Sequence, residues 1–283
     1  MLDRRLILIL ILGPIILLIL AACATPPEPT AAALPADDMV TVPAGWFLMG
    51  QDDGPPYSQP QRRVYLDALA IDRTEVTNAA FLAFLAATGY QTQGVEPWDA
   101  AFARERLAYP VTGVIWADAD AYCRWAGKRP PTEAKWEKAA RGVDSRRFPW
   151  GDEWNPTYAN TLESDHGRPL PVGSIPEGAS PYGALDMAGN VAEWVADNFD
   201  PLYYTYAPDR NPLGPEDVLK PGLARQVVYR RQARRADLLP RFVPLGAPQP
   251  ARGVSLRGLP ARPDRQGGAD PRVCPATPWA ASS

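Results

Sequence analysis

Histidine is almost missing from this chain of 283 residues, with His166 the only one. That excludes a Ser-His-Asp relay built away from position 166 and any metal centre made of two or three imidazoles. Cysteine is nearly as scarce. Cys23, Cys123 and Cys274 make an odd count, too small for a disulfide framework even in a compartment that would permit one. Whole residue types vanish locally. Residues 221–283 contain no Lys, Glu, Asn, Ile, Met or His, and hold 11 Arg against only Asp237, Asp264 and Asp270. With −3 over the whole chain and +8 in that tail, residues 1–220 carry −11. An acidic body thus runs into a basic tail with no usable periodicity. The tail holds only Tyr229, Phe242 and Trp279 as aromatics, too few to interleave with its arginines. Nucleic acid is therefore not the expected partner.

What is abundant is proline and, at the start, aliphatic residues. Thirty-three Pro is more than twice the usual share of about 5%, so turns, loops or linkers occupy much of the chain. Arg4 and Arg5 precede an apolar run from Leu6 to Ala22, broken only by Gly13 and Pro14. The run is short for a bilayer span of roughly 20 residues and fits a signal peptide over residues 1–22. Leu20-Ala21-Ala22-Cys23 resembles the lipobox of bacterial lipoproteins, which implies acylation of the Cys23 thiol and anchoring at the outer face of a membrane. Residues 23–38 then form a lipidated cysteine and a Pro/Ala/Thr tether.

Order is expected from Met39. Val40 and Val42 alternate with polar neighbours, Pro43-Ala44-Gly45 turns, and Trp46-Phe47-Leu48-Met49 forms a second strand. A third is expected over residues 63–67. Thr77 is a suitable cap for a helix whose inner side is Phe81, Phe84, Leu85 and Thr88, with Gly89 as its stop. A second helix is expected from about Ala117 to Ala126, with Cys123 as a small core residue, and a third from Glu133 to Arg141 after Thr132. From Gly142 to Tyr206 little regular periodicity remains. A long irregular stretch rich in aromatics needs pinning, and a metal is a common device.

These residues resemble the formylglycine-generating enzyme, or sulfatase-modifying factor, family. The stretches that carry the resemblance stand in order: Val42-Pro43-Ala44-Gly45, Phe47-Leu48-Met49-Gly50, Glu75-Val76-Thr77-Asn78, Trp125-Ala126-Gly127-Lys128-Arg129, Pro131-Thr132-Glu133-Ala134, Ala139-Ala140-Arg141-Gly142, Pro149-Trp150-Gly151, Ala159-Asn160-Thr161 and Asp186-Met187-Ala188-Gly189-Asn190-Val191. The resemblance implies an α+β fold, a variant of the C-type lectin fold with little regular secondary structure, over residues 39–220. Ile115 stands where the family usually has Ser, and Lys135 where it usually has an acid. Each change removes half of a capping box.

The resemblance also implies structural calcium, held by Asp186, the Gly189 and Val191 carbonyls, and Glu193. A second family site would begin at Asn160 and the Thr161 carbonyl, with Asp165 as a further ligand, in a loop that is short here. Calcium takes six to eight hard oxygens, and carboxylates with turn carbonyls can supply them. By spacing alone, Asp186 and Glu193 read as a turn residue and a solvated surface acid, and it is the resemblance that turns the reading to calcium.

Active family members use copper held by two cysteine thiolates near the C-terminus to oxidise a sulfatase cysteine with O₂, and soft Cu(I) suits such ligands. That cysteine pair is absent here, as are the Arg-Gly-Gly-Ser-Trp strand and the Gly-Phe-Arg ending. Residues 221–283 read either as an out-of-frame translation of GC-rich DNA, leaving the fold incomplete at its C-terminus, or as a disordered basic extension. Two functions follow. One is a non-catalytic, calcium-stabilised, lipid-anchored module that binds a protein or glycan ligand. The alternative is a formylglycine-generating oxidase whose active-site segment is lost or frameshifted.

Overall fold

Alternation decides the first strands. In β1 (Met39–Val42) Val40 and Val42 are buried while Thr41 is exposed, and in β2 (Gly45–Met49) Phe47 and Met49 are buried while Leu48 faces out. The computed structural model describes residues 38–94, 98–164 and 166–215, with five short strands between 226 and 273 whose side chains are not described. β1 and β2 follow one another but do not form a hairpin. β1 pairs antiparallel with β4 (Leu69–Asp72), Val40 opposite Ile71, and β2 pairs antiparallel with β3 (Arg62–Leu66), Phe47 opposite Val64. β3 lies one residue earlier than expected. β4 has only Leu69 and Ile71 as buried apolar positions, too few to read as a strand in advance.

Caps set the helices. Thr77 Oγ1 accepts from Ala80 N at 3.2 Å to open α1 (Asn78–Thr88), and Gly89, at φ +66°, closes it with its N–H on the Leu85 carbonyl. A short α2 (Ala100–Arg104), capped by Asp99, adds to the expected set. α3 (Trp116–Trp125) begins one residue before the expected start. Asp118 Oδ2 accepts from Ile115 N at 3.0 Å, the half of the capping box that survives without a hydroxyl at 115. β5 (Lys128–Arg129) follows, and then α4 (Glu133–Arg141), whose cap Thr132 Oγ1 accepts from Lys135 N at 3.4 Å.

The expected irregularity after Gly142 needs correcting at one place. β6 (Ala192–Asn198) is a seven-residue strand in that stretch. Its Val195 packs into one core cluster with Val42, Phe47, Leu66, Ile71 and Trp136. Ala192 and Trp194 belong to the other, with Phe81, Phe84, Tyr122 and Cys123. A strand covered on both faces has no polar alternation to betray it. A single-turn helix, α5 (Tyr203–Tyr206), comes next.

In the tail, β7 (Gln226–Tyr229) and β9 (Val254–Leu256) flank β6, and β8 (Arg241–Phe242) pairs with β7. β10 (Leu259–Pro260) and β11 (Arg272–Val273) complete a five-stranded sheet in the order β1-β4-β11-β10-β5. No helix among the described residues is long and apolar enough to cross a membrane. The Leu6–Ala22 run and Cys23 lie outside the described residues.

Candidate functional site

The two segments expected to hold calcium meet. Asn160 Nδ2 donates to Asn190 Oδ1 at 2.9 Å, and Asn190 N donates to the Asn160 carbonyl at 2.8 Å. Gly189 lies so close that a Cβ there would sit 2.5 Å from the Asn160 carbonyl oxygen. Asp186 and Asn190 both adopt φ of +56°, a region costing side-chain-bearing residues about 1–3 kcal/mol. Their side chains hold them in it. Asp186 Oδ2 accepts from Gly173 N at 2.6 Å, and Asn190 Oδ1 accepts also from Leu170 N at 2.8 Å. Asn190 Nδ2 donates to Glu75 Oε2 at 2.9 Å and to the Leu170 carbonyl at 3.3 Å.

Glu193 is 1% exposed on β6, and its Oε2 accepts from the Trp136 indole N–H. The solvated-acid reading of Glu193 is thereby overturned, because β6 is covered on both faces. Asp186, half-buried, is the turn residue its spacing suggested. Val191 is buried, and the Thr161 carbonyl accepts from Ser164 Oγ at 2.7 Å. Asp165 lies outside the described residues. Among the described residues no group of three or more His, Cys, Asp or Glu could hold a metal ion. Calcium still suits this donor chemistry. The carboxylates of Asp186 and Glu193 and the carbonyls of Gly189 and Val191 are hard oxygen donors, the kind calcium takes.

A second buried polar knot surrounds the start of α4. Asp197 Oδ2 accepts from Glu133 N at 2.7 Å, adding a cap from a strand 64 residues away. Burial pushes the Asp197 carboxyl up to about 7, opposed by the Glu133 N–H and the Lys135 charge. Tyr204 donates to Glu133 Oε1 at 3.0 Å, and burial, then the Glu133 and Glu137 charges, hold its phenol well above the ordinary range. Glu137 pairs with Arg141 and accepts from Gly50 N at 2.9 Å, tying α4 to the end of β2. Lys138 donates to the Pro43 and Gly45 carbonyls at 2.7 and 2.9 Å, and burial lowers its pKa. The Thr132–Arg141 motif is thus scaffolding: its charged groups hold loops in place.

In the sequence Glu75 stands out only as part of the Glu75–Asn78 stretch, and Asp197 not at all. Their partners are distant in the chain, and an acid next to apolar residues carries no local sign of burial. Cys123 is fully buried between α1 and α3, where Phe84 lies 5.8 Å from Tyr122 and 5.7 Å from Trp125, ring centre to ring centre. His166 is exposed.

Geometry defines the class first: an α+β domain with few regular elements, whose loops are pinned by buried Asn, Asp and Glu side chains. Residues 25–237 match the model of the sulfatase-modifying factor enzyme 1-like domain, and the chain belongs to that family. It is 36% identical over 252 residues to the formylglycine-generating enzyme of Streptomyces coelicolor, covering 69% of this chain and 79% of that one. It is 32% identical over 244 residues to the mouse protein named inactive C-alpha-formylglycine-generating enzyme 2, covering 68% and 78%. Among solved structures, PvdO from Pseudomonas aeruginosa matches with a TM-score of 0.63 at 26% identity, covering 83% of this chain and 98% of that one.

Proposed function

We propose that this protein is a non-catalytic member of the sulfatase-modifying factor family, exported and lipid-anchored through Cys23, which acts as a calcium-stabilised module binding a protein or glycan ligand outside the membrane. The burial of Cys123 carries the reading. Copper in the catalytic relatives needs two accessible thiolates, and this chain has three cysteines in all. Cys23 sits in the lipobox, and Cys123 is fully buried among the rings of α1 and α3. Only Cys274 remains, so the residues do not fit the copper centre. A relative of similar identity bears the name of an inactive enzyme, which supports the same view.

The abrupt change of composition after residue 220 favours a second reading: an oxidase gene whose frame has shifted. Resequencing decides between the two, since a shifted frame must restore a Gly-Gly-Ser-Trp strand and a Gly-Phe-Arg ending. At the protein level, the 283-residue product with copper and O₂ should leave a sulfatase-motif cysteine peptide unchanged. Turnover, or one copper bound per chain through thiolates, overturns the non-catalytic reading. Calcium has its own readout. Chelation should lower Tm by several degrees and added Ca²⁺ should restore it, because a ligand that binds only the folded state stabilises it by mass action. A Tm indifferent to chelator removes calcium from the proposal. Mass spectrometry of the membrane fraction tests the anchor: an unmodified Cys23 rules it out.

A further inference from the structure

The outward face of the β2–β3 ribbon lies opposite the core and apart from both polar knots. Because Phe47, Met49, Val64 and Leu66 point inward, the antiparallel register places Trp46 opposite Tyr65 and Leu48 opposite Arg63 on the other side. Residues 209–211 extend this face. Tyr65 N donates to the Asp209 carbonyl at 2.7 Å, and Asn211 N donates to the Tyr65 carbonyl at 2.8 Å, so Arg210 lies alongside. Trp46 and Tyr65 meet edge to face at 5.4 Å. The Arg63 guanidinium stands 4.6 Å from the Trp46 ring centre. That of Arg210 stands 4.4 Å from the Tyr65 ring and 5.3 Å from the Trp46 ring.

Both arginines are exposed, and among the described residues neither side chain makes an ion pair or a hydrogen bond. The acids nearest in sequence leave them alone. Asp67 accepts from Asn211 Nδ2 at 3.0 Å, and Asp209 forms no ion pair among the described residues. Leu48, 36% exposed, completes the face. A guanidinium held over an aromatic ring still has N–H donors to offer a partner, and its planar fork fits a carboxylate bidentately. Contact with the rings also restrains the long side chains before any partner arrives, which lowers the entropy cost of binding. On a body with −11 over residues 1–220, a face with two such cations and no acid to satisfy them is an exception.

We infer that this face binds an acidic peptide segment of a partner protein, its carboxylates on Arg63 and Arg210 and an apolar side chain against Leu48. A sugar is the poorer occupant, because the ring faces on which it would stack are already covered by guanidinium groups. The inference rests on the binding-module reading and names the chemistry of its protein ligand.

The test is fluorescence anisotropy of the whole chain with a labelled Glu-Glu-Leu-Glu-Glu peptide at low salt. Saturable binding should weaken at least tenfold in the Arg63→Ala, Arg210→Ala double variant and with rising salt. It should also weaken several-fold when both arginines become Lys, since charge persists while the planar fork is lost. Arg124→Ala, an exposed change elsewhere, should bind as the parent does. Absence of binding, equal affinity in the alanine double variant, or full retention by the lysine variant each overturns the inference. So does tighter binding of a uronate or sulfated oligosaccharide than of the peptide. The two readings fail separately. Turnover of the sulfatase-motif peptide with Arg-dependent binding intact sinks only the non-catalytic reading, whereas lost binding without turnover sinks only this one.

Discussion

Residues 38–142 and 143–215 fill one fold by different means. In the first, strands and helices bury regularly spaced apolar side chains such as Val40, Val42, Phe81 and Phe84. In the second, β6 is the only strand among the described residues and the rest is mostly turns, held by Asn160, Asp186, Asn190 and the aromatic group of Phe148, Trp150, Trp154 and Tyr158. The adhesives differ in how they fail. Apolar contacts are numerous and weaken in proportion to what is removed. A buried polar pin exposes unsatisfied partners when it is lost, so each is close to all-or-none.

A pair of glycines gives the largest contrast. Gly89 ends α1 at φ +66° with nothing within 4 Å of the point a Cβ would occupy, so Gly89→Ala should cost only the left-handed penalty of about 1–2 kcal/mol. Gly189, at φ +98°, would press its Cβ to 2.5 Å from the Asn160 carbonyl, and backbone cannot swing aside as a side-chain tip does. Gly189→Ala should cost about 5 kcal/mol or more, enough to empty the folded state of an ordinary domain. Urea melts of the two variants decide the matter; equal losses would mean that the 160–190 contact is not a pin.

Next in size is Asn190→Ala. Its side chain joins Glu75, Asn160 and both backbone polar groups of Leu170. Stranding that many buried partners should cost about 4 kcal/mol. Phe81→Ala in the other region should cost about 3–5 kcal/mol, a similar loss by a different route. The routes separate in Asn190→Asp, which keeps the shape but places a carboxylate against Glu75. It should be as damaging as alanine, and a mild effect would show that volume, rather than donor pattern, matters at 190.

The same contrast explains what was legible in advance. Thr77, Gly89 and Thr132 act on neighbours three or four residues away, so the limits of α1 and α4 follow from local spacing. The Asn160 and Asp186–Glu193 segments could be chosen together from the motifs. Their stitching by side chains could not, since Asn190 reaches Glu75 across 115 residues. Loops for which sequence alone suggested a metal pin are held by amide and carboxylate side chains. β6 stayed hidden because burial on both faces erases alternation. Asp197 stayed hidden because its partner lies on another element.

Asp197 yields a smaller, pH-dependent effect on the order of 3 kcal/mol. Its carboxyl is raised from 3.8 to about 7 by burial, with the Glu133 N–H and Lys135 opposing and Tyr203 and Tyr204 facing it. Below pH 4 both folded and unfolded states hold the proton. Between about pH 4 and 7 the unfolded chain releases it while the native state keeps it, so stability should fall as pH rises and level off above 7. Asp197→Asn removes this slope. Urea midpoints of parent and variant should therefore diverge in the variant's favour from pH 5 to pH 8, and parallel profiles would place Asp197 in contact with solvent.

The smallest effect probes the more regular region at a poor cap. α3 starts at Trp116 behind Ile115, which has no side-chain acceptor, and only the Asp118-to-Ile115 N–H half of the box exists. A serine there would accept from the Asp118 N–H, adding about 1 kcal/mol. Against it stands the half-buried Ile115 side chain, whose partial exposure to water on removal returns roughly half of that gain. Ile115→Ser should thus stabilise by about 0.5 kcal/mol, with Ile115→Ala as the reference that removes the same apolar surface without the hydroxyl. The difference between serine and alanine isolates the cap at about 1 kcal/mol. If the two variants melt together, Asp118, already accepting from Gln93 N at 2.8 Å and Tyr90 Oη at 3.1 Å, fixes the start of α3 by itself, and the regular region also relies on a long-range polar pin.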